Sequence, residues 1–124
     1  MRFMLLLYGD ESARETVTPE RWREVIAAHV DFTRRLREAG AFVDSAPLEP
    51  TAAARSVRFD RGKRLVTDGP FAETKEQLGG YYLVEAESLD DAVRWAESFA
   101  TPIGTIEVRP IWNLNVESPP PGSS

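Results

Sequence analysis

FMLLLY, residues 3 to 8, is hydrophobic at every position. Successive side chains of a β-strand point to opposite faces of a sheet, so a strand of this kind is typically covered on both faces. One face would carry Phe3, Leu5 and Leu7, and the other would carry Met4, Leu6 and Tyr8. The run is also too short for the core of a signal peptide and far too short to span a bilayer. We therefore predict a central strand with two apolar faces.

Two amphipathic segments further along the chain predict helices. Thr18 can cap a helix that begins at Pro19, continues to Ala39 and stops at Gly40. Ser88 can cap a second helix in the segment SLDDAVRWAESFA. Both segments bring apolar side chains to one side at helical spacing, so each helix should pack against a sheet.

The remaining regular structure is predicted to be β. RSVRFD and KRLVTD flank Arg61 and Gly62 and indicate a hairpin, and YYLVEA and TIEVRPIW indicate two further strands. The stretch AFVDSAPLEPTAAA carries two prolines and small residues, so we expect an extended connection without a regular element.

This order of elements predicts an α+β fold of the ferredoxin-like type, with two helices on one face of an antiparallel sheet. The second apolar face of the first strand would then stay uncovered, so we expect two sheets to pack face to face in a homodimer, as a dimeric α+β barrel. The alternative is that residues 41–56 fold over that face. One domain should span residues 1–112, and the Pro/Gly/Ser tail of residues 113–124 should be disordered.

The composition argues against several functions. With 20 acidic and 15 basic residues the net charge is −5, which opposes binding to a phosphate backbone, so no direct nucleic-acid contact is expected. The chain has no cysteine and one histidine, so no metal site is predicted. It also carries no nucleotide motif, and we predict no cofactor. A cytoplasmic location without membrane contact is the expectation.

The single histidine, His29, falls near the centre of the apolar stripe of the first predicted helix and should point toward the sheet. Two interpretations are open. It could be a neutral core histidine, bonded to backbone or to a buried hydroxyl. It could also be a general base in a cleft, with a carboxylate on its other ring nitrogen.

Asp68 is the candidate for that carboxylate. It begins the turn of TDGPFAETKEQLGGYY, residues 67 to 82, where a strand ends in Asp-Gly-Pro. Asp68 could instead cap its own turn, and Phe71 would anchor the loop in the core. Further candidates for substrate binding are Tyr8, Gly69, Pro70, Phe71, Glu73, Gly80 and Tyr82.

Four stretches carry a resemblance to a known family: MLLLYGD, LREAG, VTDGPFAETKEQLGGYYLVEA and IEVRPIW. Together they resemble the DGPF branch of the YCII-related superfamily, over residues 1 to about 112. The resemblance implies a ferredoxin-like fold, a dimer and a pocket suspected of being an active site. In the YCII branch a histidine eleven residues before the glycine that closes the first helix has been suggested to work with an aspartate, and His29 stands eleven residues before Gly40. Relatives joined to, or encoded beside, sigma factors imply an association with transcription regulation.

Three functions follow as hypotheses. The first is a small-molecule enzyme that uses His29 and Asp68 as an acid/base pair beside the DGPF loop. The second is a non-catalytic small-molecule-binding module linked to a sigma factor, in which the pair is not assembled. The third is a dimeric interaction module without a ligand.

Overall fold

The computed structural model describes residues 1–114 and has an α+β architecture. Its elements in chain order are β1 (Arg2–Gly9), α1 (Pro19–Glu38), β2 (Phe42–Pro47), β3 (Arg55–Asp60), β4 (Lys63–Asp68), β5 (Gln77–Glu85), α2 (Leu89–Glu97) and β6 (Thr105–Pro110). Two short 3-10 helices, Glu11–Thr16 and Thr51–Ala53, lie in the connections. The prediction for the tail falls mostly outside the described residues, which end at residue 114.

The main sheet has four antiparallel strands in the order β2-β5-β1-β6. FMLLLY occupies the interior strand β1, as predicted, and pairs with β5 on one side and β6 on the other. Leu5 lies opposite both Tyr82 and Val108. Residues opposite one another share a face of the sheet, so this register fixes which side chains meet the helices.

Both helices pack on the same face of this sheet. Phe32 and Leu36 of α1 and Ala92 of α2 join one buried cluster with the inward side chains of β1 and β5. The most deeply buried large side chains are Phe3, Leu5, Phe32, Leu36 and Val84. Burial of large apolar side chains of this kind is the main source of a domain's stability.

The helix ends match the sequence predictions closely. The Thr18 hydroxyl accepts a hydrogen bond from the Arg21 backbone N–H at 3.1 Å, and the Ser88 hydroxyl accepts one from that of Asp91 at 3.2 Å. Gly40 follows α1 with φ +70°, a left-handed conformation that suits glycine. Local capping chemistry therefore sets these boundaries.

The prediction for residues 41–54 was wrong in part, because Phe42–Pro47 forms strand β2. Proline is tolerated here since β2 is an edge strand and Pro47 is its last residue. The alternative of a loop folded over the second sheet face does not hold for this strand, which extends the sheet sideways. The predicted hairpin exists, but β3 and β4 form a separate two-stranded sheet.

Candidate functional site

His29 lies on the inward side of α1, as its helical position predicted, and is half-buried. Its Nδ1 lies 2.7 Å from the Tyr82 hydroxyl oxygen. The two rings are nearly parallel, with centroids 5.9 Å apart, and the Phe99 ring meets His29 edge-on at 4.9 Å. His29 is therefore bonded to a buried hydroxyl, which is the structural interpretation drawn from the sequence.

The surroundings keep both members of this pair neutral. Burial lowers the pKa of His29 below its ordinary value, since a charged imidazolium loses hydration there. Burial also raises the pKa of Tyr82, against a smaller lowering by the Thr33 side chain. The neutral pair shares one hydrogen bond, in which the phenol donates if the imidazole proton is on Nε2 and the imidazole donates if it is on Nδ1.

The second ring nitrogen of His29, Nε2, has no hydrogen-bond partner in the described part of the chain. No fully buried side-chain nitrogen or oxygen there lacks a partner, so Nε2 is not fully buried. A ligand could therefore bond to it in place of water.

Asp68 has a different partner. Its Oδ1 lies 3.4 Å from Nε of Arg55, directly across the β3–β4 ladder, and its side chain is 91% exposed. Neither hairpin strand packs to more than a marginal extent against α1 in residues 1–114. The predicted pairing of His29 with Asp68 is therefore not supported.

The Asp-Gly-Pro turn is held by other groups. The Gly69 N–H donates to the Ala54 carbonyl at 2.7 Å, and the Ser56 hydroxyl donates to the Gly69 carbonyl at 2.8 Å. Within the described chain no hydrogen bond joins the Asp68 carboxylate to its own turn, so the predicted Asx-turn is not formed either. Gly69 has φ +87°, which a side chain would strain.

Phe71 does not anchor the loop, and that prediction was wrong. Its side chain is 83% exposed because the hairpin and its loop stand away from the core cluster. Pro70 and Glu73 are exposed as well. A shallow cavity of about 590 Å³ is lined by Ser56, Val57, Arg58 and Phe71, so Phe71 borders a surface concavity that does not include His29.

The remaining candidates lie in the main sheet. Gly80 is buried beside β2, and a Cβ there would lie 3.0 Å from the Ala46 carbonyl oxygen. The glycine thus admits a neighbouring strand. Tyr8 alternates with the inward Leu7 and so faces the opposite side of the sheet from Tyr82. The predicted site residues are therefore divided between the helix-covered face, the opposite face and the hairpin.

Comparison with known sequences agrees with the motifs. The family model described as the YCII-related domain matches residues 1–115. The protein belongs to the YCII-related family. A protein of Rhizobium meliloti (strain 1021), whose name describes it as uncharacterized, is 42% identical over 114 residues, which cover 90% of this chain and 92% of that protein. Membership of the DGPF branch remains a prediction.

Sequence reasoning did not identify Tyr82 as the partner of His29 in this YCII-related protein. Tyr82 was a binding candidate, but nothing in the order of residues joins it to a histidine 53 positions earlier. The available signal was parity, because Tyr82 and Val84 lie on the same side of a strand and both are buried. A buried tyrosine requires a hydrogen-bond partner.

The described part of this YCII-related protein contains no group of three or more histidine or acidic side chains that could hold a metal ion. None of the helices within residues 1–114 is long and apolar enough to span a bilayer. The site offers an imidazole that is bonded to Tyr82 through Nδ1 and has no partner at Nε2 among the described residues.

Proposed function

We propose that this YCII-related protein is a homodimeric small-molecule-binding module whose polar centre is the His29–Tyr82 pair. The observation that carries the proposal is the 2.7 Å contact between His29 Nδ1 and the Tyr82 hydroxyl. The proposal takes the phenol as the donor of this bond, which leaves Nε2–H free to donate to a ligand. Catalysis by a His-Asp pair needs a carboxylate on the imidazole, and the carboxylate of Asp68 is engaged by Arg55 instead. Binding needs only the donor and its apolar surroundings.

The surroundings favour a small ligand with an apolar or planar body and one hydrogen-bond acceptor, such as a carbonyl or a carboxylate. Phe99 supplies an aromatic edge at His29. On the helix surface next to His29, the side chains of Trp22 and Ile26 are exposed. These groups could cover the apolar part of the ligand while Nε2–H binds its acceptor.

The proposal also includes a ferredoxin-like topology and a homodimer formed through the open face of the main sheet. The β1-α1-β2 and β5-α2-β6 halves and the strand order β2-β5-β1-β6 support it. The second face of the sheet carries Met4 and Leu6 of β1 next to Leu83 and Tyr81 of β5. An apolar face of this kind usually marks an interface.

Two further expectations stay predictions. One is the association with a sigma factor, which rests on the family resemblance. The other is the use of the loop residues Gly69, Pro70 and Glu73 in substrate binding, which rests on their place in the sequence.

The test is a thermal-shift screen against small carboxylates and carbonyl compounds, because a ligand that binds only the native state raises the apparent stability. For a compound that shifts the wild type, His29→Ala should weaken binding at least about tenfold, through the lost donor and its packing. Tyr82→Phe should weaken it less, since it releases the imidazole but keeps the ring. Val30→Ala is the control for general effects on α1. A ligand bound equally by wild type and His29→Ala, or steady turnover lost in Asp68→Ala, would contradict the proposal.

A further inference from the structure

The β3–β4 hairpin, residues 55–68, forms a two-stranded sheet of its own and is called the arm below. All of its residues are exposed except Ser56, which is half-buried. Within residues 1–114, neither arm strand has more than marginal contact with any other helix or strand. A two-stranded hairpin without further strands or a helix packed on it is at best marginally stable in water. The arm therefore has the character of a surface that another molecule completes.

One face of the arm is apolar. Val57 lies opposite Val66, and Phe59 lies opposite Arg64, so their side chains share one face. Val57, Phe59 and Val66 are 53%, 73% and 63% exposed. The Arg64 guanidinium lies over the Phe59 ring at 5.6 Å, which covers only part of the aromatic surface. Apolar residues of this size, grouped on a strand pair, indicate a protein interface.

The arm also differs in charge from the rest of the chain. It holds five basic residues, Arg55, Arg58, Arg61, Lys63 and Arg64, and two acids, for a net charge of +3. The other residues, called the body below, hold ten basic and 18 acidic residues, for a net charge of −8. Two such bodies repel each other, whereas an arm and a body attract.

The body offers a surface that matches the arm in both respects. Residues 85–97, which include α2, hold five acids and one arginine. Leu89 and Val93 of this segment are exposed. A basic arm with an apolar face could therefore bury its valines and Phe59 on apolar side chains while its cations meet carboxylates.

We propose that each arm lies on the acidic body of a second copy of this chain, with the Val57–Val66 face turned inward. The inference rests on the homodimer of the proposed function and adds a second contact to the one between sheet faces. Reciprocal exchange of two arms satisfies twofold symmetry. Duplex nucleic acid fits less well, because the chain is acidic overall and the two valines offer nothing to phosphates.

The sequence allows a specific cross-linking test. The chain has two lysines, Lys63 in the arm and Lys75 outside it, so a carbodiimide can join few amines to carboxylates. Lys63 lies on the arm face away from Val57, whereas Arg64 shares the Val57 face, so Lys63→Arg combined with Arg64→Lys moves the arm's one lysine to the inward face and keeps the charge. Chains of this double variant labelled with ¹⁴N and ¹⁵N are unfolded and refolded together, cross-linked and digested. Peptides of mixed isotope that join the lysine introduced at position 64 to an acid of the body are expected, with residues 85–97 among the sites. Lys63→Arg alone leaves the arm without a reactive amine, so these peptides should be absent from it.

A second measurement uses the apolar face. Val57→Ser with Val66→Ser should weaken the dimer at least about tenfold by sedimentation, since two buried aliphatic side chains are lost. Thr67→Ala, on the opposite face of the arm, should leave dimerisation unchanged. A dimer in which the lysine introduced at position 64 gives links only within single chains would refute the arm contact and leave the homodimer standing. A monomer of 13.9 kDa would refute both. Salt-sensitive binding of duplex DNA, lost when Arg58 and Arg64 are changed to Ala, would assign the arm to nucleic acid and overturn the proposal.

Discussion

The Tyr82 hydroxyl oxygen lies 2.7 Å from Nδ1 of His29, the only histidine in the chain, and the hydrogen bond between them engages this ring nitrogen. Tyr82 is 5% exposed and sits in the core cluster beneath α1. A phenol in this position can donate to a neutral imidazole, whereas a carboxylate can only accept. In the proposed tautomer, with the proton on Nε2, His29 is a donor through that nitrogen, and a stronger base would require a different partner.

Titration of His29 should give a pKa below the ordinary value of 6.5, because burial disfavours the imidazolium. A single histidine makes its ring signals in NMR spectra unambiguous. The unfolded chain takes up the proton first as the pH falls. The free energy of unfolding is therefore unaffected by His29 above about pH 7, and it decreases as the pH falls from there toward the lower folded pKa.

The check is urea unfolding at about pH 7.5 and pH 5 for wild type and His29→Gln. Carboxylates contribute to the pH dependence of both proteins, so the difference between them isolates His29. The wild type should lose more stability over this interval. Equal losses, or a folded pKa at or above 6.5, would contradict the burial argument.

A double-mutant cycle should find His29 coupled to Tyr82 and not to Asp68. Tyr82→Phe leaves the half-buried Nδ1 without its donor and should cost about 1–3 kcal/mol of stability. Combined with His29→Ala, its effect should be non-additive by about 0.5 kcal/mol or more, since the two groups share one hydrogen bond.

The matched comparison pairs His29→Ala with Asp68→Ala. Asp68→Ala alone should change stability by at most about 0.5 kcal/mol, because the ion pair with Arg55 is solvated. Its effect should add to that of His29→Ala. Coupling between these two residues, measured by chemical denaturation of all variants, would restore the His-Asp hypothesis.

Helix positions could be predicted from the sequence because their signals are local. Thr18, Ser88 and Gly40 act within one turn of the residues they cap or terminate. The inward direction of His29 also followed from helical periodicity. Strand β2 was missed because its partner, β5, is far along the chain and Pro47 argued against a strand.

The site was harder to predict because its contacts join residues that are far apart in the chain. Tyr82 reaches His29 only because the register of β5 against β1 sets it beneath α1, and register depends on the whole sheet. Asp68 was predicted to be a site residue and Phe71 a core residue, since Asp68 ends a strand and Phe71 follows it. Nothing local revealed that their hairpin forms a sheet of its own.

Gly104 should tolerate alanine less well than Gly62. Both have positive φ, +127° and +79°, so both replacements strain the backbone by about 1–2 kcal/mol. A Cβ at Gly104 would also lie 2.3 Å from the Tyr8 carbonyl oxygen, whereas nothing lies within 4 Å at Gly62. Thermal unfolding should therefore show a clearly larger loss for Gly104→Ala. Similar losses would mean that the junction between β1 and β6 relaxes freely.

The open face of the main sheet should decide the oligomeric state. Leu6 and Leu83 are half-buried on the face opposite the helices, and their partners across β1 and β5 are Tyr81 and Met4. If two sheets meet there, Leu6→Asp buries a carboxylate at the interface, which costs several kcal/mol unless the dimer separates. Sedimentation at micromolar concentration should give about twice 13.9 kDa for wild type and the monomer mass for Leu6→Asp.

Val30→Asp, on the exposed side of α1, serves as the control for the added charge and should remain dimeric. Circular dichroism must report an unchanged fold for Leu6→Asp, and Tyr81→Ser provides a milder change on the same face. A wild-type monomer, or a Leu6→Asp variant that is folded and dimeric, would rule out packing through this face.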